Sequence, residues 1–158
     1  MTDTDAARAL IAALRTRGWT VGTAESLTAG LVSARLADVP GCSDVLRGGV
    51  IAYAAQVKSD LLGAEAAAHG TVTREVARQM AQGIRAALPC DVGIATTGVA
   101  GPEPHDGQPV GSVWVAVATP EGCVERHLDL GARGRAEVRE AAVHEALALA
   151  RELLPAGE

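Results

Sequence analysis

Three runs of small and branched residues, "WTVGTAES", "DVLRGGVIAY" and "DVGIATTG", are separated by stretches at helical spacing, and a fourth, "GSVWVAVAT", follows after a loop. Strands that alternate with helices predict a layered α/β domain in which crossover helices cover a sheet. "CVERHLDL" alternates like an exposed strand, and Thr119-Pro120-Glu121-Gly122 joins it to the preceding run as a hairpin. At least one neighbouring pair is then antiparallel. The expectation is a single three-layer α/β/α domain with a mixed sheet, spanning residues 1–158 without a repeat, low-complexity segment or linker.

The helical stretches carry their own start and stop signals. "TDTDAARALIAALRTRG" puts Ala7, Leu10, Ile11 and Leu14 at helical spacing, with Thr4 or Asp3 as N-cap and Gly18 as the stop. "SLTAGLVSARLADVPG" begins with hydroxyl residues and ends at Pro40-Gly41, which places Ser26 at a strand-to-helix junction. Short helices are expected over "AAQVKSDLLG" and "AEAAAHG", so that Tyr53 ends a strand and Lys58 lies just beyond it. In "TVTREVARQMAQGIRAAL" Thr73 is the expected N-cap, Glu75 sits in the first turn, and Val76, Met80, Ile84 and Leu88 follow by fours. The last helix, "GRAEVREAAVHEALALARELL", turns Val138, Ala142, Ala146, Leu149 and Leu153 to one side.

Composition narrows the class. A chain of 158 residues fits one core, and with 48% hydrophobic but 2% aromatic residues that core is Ala, Val, Leu and Ile, with Trp19 and Trp114 its only very large members. A net charge of −5 without a basic run argues against nucleic acid and favours a small-molecule partner. Cys42, Cys90 and Cys123 are odd in number and scattered, which gives neither a disulfide framework nor a zinc signature and fits a reducing cytoplasm. The N-terminus is acidic where a signal peptide is basic, and no apolar run approaches a membrane span. A soluble cytoplasmic protein is expected.

Lysine usage points to chemistry. The chain has thirteen arginines but one lysine, Lys58, and one tyrosine, Tyr53, both within "YAAQVK". Arginine stays charged at any accessible pH, whereas a desolvated lysine becomes a neutral base. The plainer alternative is that both are survivors of composition bias on a solvated helix face.

In layered α/β folds ligands bind beyond the carboxyl ends of strands. "TAESLTAG" places Ser26 and Thr28 where free backbone N–H groups open a helix, a position that suits a nucleophile and its oxyanion, or merely an N-cap. "ATTGVAGPEPHDG" offers Thr96 and Thr97 with small residues around them, but lacks the spacing of a phosphate loop or dinucleotide fingerprint. Of the histidines, His105 lies in that loop, while His69, His127 and His144 occupy ordinary structural patterns. A serine with a lysine base is therefore the better candidate, with Tyr53 relaying a proton or hydrogen-bonding the lysine. Arg135 and Arg139 share a face at the start of the last helix and suit an anion clamp, though surface pairing with Glu137 and Glu140 is the favoured alternative.

The segments "TAESLTAGLVSARLADVPG", "GGVIAYAAQVKSDLLG", "HGTVTREVARQMAQG", "TTGVAGP", "PVGSVWVA" and "VREAAVHEAL" run in the same order as in the CinA C-terminal domain family, whose stand-alone members are nicotinamide-nucleotide amidases. The chain resembles that family over nearly its whole length. The resemblance implies a catalytic Ser26, Tyr53 and Lys58, with Thr28, Gly30, Thr97, Gly98, Gly101 and Arg139 around the substrate. It also implies hydrolysis of nicotinamide mononucleotide to nicotinic acid mononucleotide and ammonia with no cofactor, and, with the small-residue surface, a homo-oligomer, expected as a dimer. A catalytically silent nucleotide-binding or interaction module, linked to competence or DNA damage, is the alternative.

The chain departs from the family pattern in three places. Leu27 and Ala29-Gly30 stand where the family has a cysteine and two glycines. "RGR" replaces a Gly-Asp-Arg near the last helix, so a carboxylate is missing before Arg135. "EPHDGQ" replaces a glycine-rich stretch and brings Glu103 and Asp106 near the expected anion site.

Overall fold

The computed structural model describes residues 1–157. Helix α1 (Asp3–Arg17) is followed by strand β1 (Val21–Glu25), α2 (Leu31–Ala37), a 3-10 turn at Cys42–Asp44 and β2 (Leu46–Ile51). Three helices come next, α3 (Ala55–Leu62), α4 (Ala66–His69) and α5 (Arg74–Ala87). The chain then runs through β3 (Val92–Gly98), β4 (Ser112–Thr119), β5 (Gly122–Asp129) and α6 (Arg135–Leu153).

The strands form one mixed sheet in the order β2-β1-β3-β4-β5. The β2-β1-β3 part is parallel, with Val21 opposite both Leu46 and Val92 and Glu25 opposite both Ile51 and Thr96. β4 runs antiparallel to β3, and β5 to β4. The β4–β5 hairpin matches the expectation from Thr119-Pro120-Glu121-Gly122, and the antiparallel β3–β4 pair adds a second reversal. Helices α1, α2 and α6 cover one face of the sheet and α3 and α5 the other, giving the three layers.

The two faces differ in grain. Val21, Val92, Ile94, Val113, Val115 and Val117 meet the α1–α2–α6 layer, so branched residues fill the thicker side. Ala24, Ala95, Ala116 and Ala118 face α5, where Met80 and Ile84 are fully buried. Small residues let α5 sit close: a Cβ on Gly93 would come within 2.1 Å of the Ala81 carbonyl oxygen. Neither tryptophan is fully buried: Trp19 flanks the core, and Trp114 lies against the His127 ring with Arg74 over its outer face.

Caps account for several helix ends. Thr73 caps α5 through the Val76 N–H, as expected. α1 is capped by Thr2, one residue before Asp3 and two before Thr4, because Asp5 completes a reciprocal capping box that neither Thr4 nor Asp3 can form. Gly18 closes α1 in the left-handed conformation. α2 begins only at Leu31, so Ser26–Gly30 forms a separate turn between β1 and the helix.

One close approach bears on the site. A Cβ at Gly83 of α5 would lie 2.0 Å from the carbonyl oxygen of Leu62, the last residue of the helix that carries Lys58. Backbone cannot yield as a side chain does, so overpacking outweighs the gain in helix propensity. Gly83→Ala should destabilise the protein by about 1–3 kcal/mol, read from the urea unfolding midpoint.

Candidate active site

The C-terminal ends of the three parallel strands converge on one pocket. Ser26 follows β1, Tyr53 lies two residues past β2, and Thr97 and Gly98 end β3. The pocket has a volume of about 480 Å³, within the range of roughly 300–1,000 Å³ typical of small-molecule sites. The loop from Val99 to His105 and Arg135 of α6 complete its wall.

Lys58 is the largest side chain in the fully buried set, with 2% of its surface exposed. It is the fourth residue of α3, and from there its chain reaches back under the strand ends. Its Nζ donates to Ser26 Oγ at 2.9 Å, to the Ala52 carbonyl at 2.9 Å and to the Tyr53 carbonyl at 3.0 Å. Burial lowers its pKa from 10.5 to about 8, against a smaller upward pull from the Asp106 carboxylate.

The geometry serves both protonation states. As an ammonium, Lys58 satisfies three acceptors with three protons. As an amine, it keeps two protons on the carbonyls, and its lone pair is left toward Ser26 Oγ, ready to accept the hydroxyl proton. The backbone at Ala52 and Tyr53 thereby aims the base.

Ser26 is held by its own backbone, whose N–H donates to the Thr96 carbonyl at 3.1 Å and to Thr96 Oγ1 at 3.3 Å. The next residue, Leu27, lines the pocket, and its N–H has no acceptor among the described residues. A donor beside the nucleophile and free of other partners is the arrangement an oxyanion requires.

Beneath the turn lies Glu25, 1% exposed, which the sequence reading did not single out. Its carboxylate accepts from Thr28 Oγ1 at 2.7 Å, the Val32 N–H at 2.8 Å, the Ser33 N–H at 3.0 Å and Thr23 Oγ1 at 3.1 Å. It therefore caps α2 from inside the sheet and pins the turn that presents Ser26. Thr28 continues the network to Thr96 Oγ1 at 2.8 Å. The signal in the sequence was a carboxylate ending a strand of otherwise uncharged residues, six positions ahead of the start of α2.

Other expected site residues fall into two groups. Thr97, Gly98 and Gly101 line the pocket, and the Thr97 hydroxyl donates to the Thr71 carbonyl at 2.5 Å. Thr28 and Gly30 lie behind the turn rather than along the pocket, and Ala29 beside them takes a left-handed φ of 48°. Arg139 does not line the pocket: its Nε donates to the Leu27 carbonyl at 2.8 Å, which steadies the nucleophile turn. Arg135 is the arginine at the pocket, donating to the Gly101 carbonyl at 2.5 Å and to the Tyr53 hydroxyl at 2.6 Å. The favoured surface pairing does not form, since Glu140 binds Arg35 at 3.0 Å instead.

Tyr53 departs from the expected picture. Its phenol, half exposed, meets Arg135, and it is the Tyr53 backbone carbonyl that bonds Lys58. His127 and His144 serve structure, bonding Ser112 Oγ at 2.9 Å and Asp3 at 2.8 Å. No cysteine lines the pocket, and burial raises the Cys90 thiol pKa and pushes that of Cys123 up to about 11.

A three-layer α/β domain with a buried lysine hydrogen-bonded to a serine at the ends of its parallel strands is equipped for serine-based acyl transfer. The model of the CinA C-terminal domain matches residues 3–154, and the chain belongs to that family. It is 44% identical over 141 residues to a CinA-like protein of Frankia casuarinae, covering 87% of this chain and 32% of that protein. It is also 44% identical over 140 residues to a putative competence-damage inducible protein of Desulforamulus reducens, covering 87% and 34%. The chain thus spans about a third of the length of these curated relatives. Among solved structures, the competence/damage inducible protein CihA of Agrobacterium tumefaciens superposes with a TM-score of 0.91 at 33% identity, covering 97% of this chain and 96% of that one. A CinA-superfamily protein of Klebsiella pneumoniae superposes with a TM-score of 0.91 at 28% identity, covering 98% of both. Among the described residues, no helix is long and apolar enough to cross a membrane.

The Glu25 network can be tested by stability. Glu25→Ala leaves two α2 N–H groups and two threonine hydroxyls without their acceptor, and should cost about 1–3 kcal/mol in chemical denaturation. Arg139→Ala, which takes one side-chain donor from two neutral turn carbonyls rather than the acceptor from four donors, should cost less.

Proposed function

We propose that this domain is an amidase acting on nicotinamide mononucleotide, releasing nicotinic acid mononucleotide and ammonia. The observation that carries the reading is the 2.9 Å contact between the buried Lys58 amine and Ser26 Oγ, with two backbone carbonyls fixing the lysine's other protons. The family resemblance supplies the substrate, and the pocket volume and the cationic Arg135 at its wall are compatible with a mononucleotide.

In this reading neutral Lys58 takes the Ser26 hydroxyl proton as Oγ attacks the carboxamide carbon. The tetrahedral oxyanion is met by the Leu27 N–H. Lys58 then returns the proton to the leaving nitrogen, the C–N bond breaks, and ammonia departs from a Ser26 ester. Water, deprotonated by the same amine, cleaves the ester and frees the carboxylic acid with Ser26 restored. Tyr53 contributes through its carbonyl to Lys58 and through its phenol to the placement of Arg135.

Because the base must be neutral, kcat should rise with pH through about 8. Ammonia release by the purified protein should fall about 10²- to 10⁴-fold in Lys58→Arg, whose guanidinium cannot deprotonate, and be lost in Ser26→Ala. A parent protein that binds the nucleotide without turning it over would favour a silent binding module.

A further inference from the structure

The loop between β3 and β4 closes on itself at Asp106-Gly107. Asp106 has φ 49° and Gly107 φ 74°, and His105 and Gln108 exchange both backbone hydrogen bonds across them, at 3.1 and 2.8 Å. This is a two-residue hairpin turn of the kind Asp-Gly favours. Its tip is anchored: the Asp106 carboxylate accepts from the Thr71 N–H at 3.0 Å and the Thr71 hydroxyl at 2.6 Å. Thr71 lines the pocket, and its carbonyl receives the Thr97 hydroxyl at 2.5 Å. One carboxylate therefore ties the hairpin, the segment before α5 and the end of β3 into one wall.

We propose that Asp106 is a positioning residue for the Ser26–Lys58 pair, holding the hairpin and Thr71 against the end of β3, where Thr96, next to Thr97, accepts from the Ser26 N–H. The proposal rests on the reading that this pair is catalytic. Asp106 does not itself line the pocket, so it acts through Thr71 and through the upward pull of its charge on Lys58. Thr71 lowers the Asp106 pKa by hydrogen bonding, so the carboxylate is ionised wherever Lys58 titrates. The ionisable groups around the pair are few. His105 stands 3.9 Å from Asp106, and Tyr53, Glu103, His105 and Arg135 line the pocket that Lys58 shares.

The direction of the effect follows. A carboxylate near an amine favours the ammonium, so removing its charge makes Lys58 easier to deprotonate. Asp106→Asn tests this with the turn intact, since asparagine tolerates the left-handed region and still offers Thr71 an acceptor.

The single lysine gives a direct readout: protein labelled with ε-¹³C lysine has one side-chain resonance to follow against pH. The parent signal should titrate near 8 and the Asp106→Asn signal at lower pH, with the acid limb of ammonia release displaced in the same direction. Coincident lysine titrations in the two proteins would overturn the proposal. Absence of ammonia release from the parent would sink the amidase reading instead, while the lysine titration would still decide the effect of Asp106.

Discussion

Everything at the site depends on the burial of one amine. Taking an ammonium out of water is costly unless its protons are all bonded, and Lys58 meets that condition with one hydroxyl and two carbonyls. The residual cost appears as a pKa lowered to about 8, which leaves an appreciable neutral fraction near neutral pH. Arginine in the same place would stay charged and could not accept a proton. The chain's otherwise exclusive use of arginine thus has a physical reason to fail once.

The remaining fold can be understood as support for that contact. The alanine and glycine face of the sheet lets α5 lie close, and Gly83 lets α3 lie close to α5, which sets the depth from which Lys58 reaches the strand ends. Glu25 fixes the partner by capping α2 and pinning Thr28, so that the turn carrying Ser26 is bonded from below and, through Thr96, from the side. Arg139 and Arg135 tie α6 to the nucleophile turn and to the pocket loop respectively. Two charged residues with no direct place at the reacting atoms, Glu25 and Arg139, thereby hold the geometry.

Much of the fold was legible because its signals are local. Periodicity, Gly18 and Thr73 placed the helices, and Thr119–Gly122 placed the hairpin. The antiparallel β3–β4 pairing was not legible, since the intervening loop does not state whether the chain reverses or crosses over. At the site, the residue types announced themselves, but their meeting did not: Ser26 and Lys58 are brought together by strand order, which the resemblance anticipated and spacing alone does not give. Arg135 and Arg139 share a helix face, and only the packing of α6 decides that Arg135 takes the pocket. Tyr53 was singled out for its phenol, whereas its carbonyl makes the contact with the lysine, a role invisible to side-chain chemistry.

The central claim is that Ser26 attacks the amide and carries its acyl group. Acid quenching during turnover of nicotinamide mononucleotide, followed by mass spectrometry of the digested protein, addresses it most directly. The account predicts a peptide containing Ser26 that is heavier by the nucleotide less ammonia and that disappears as substrate is consumed. Steady ammonia release with no ester on Ser26 at any quench time, or with an ester on another residue, would contradict it.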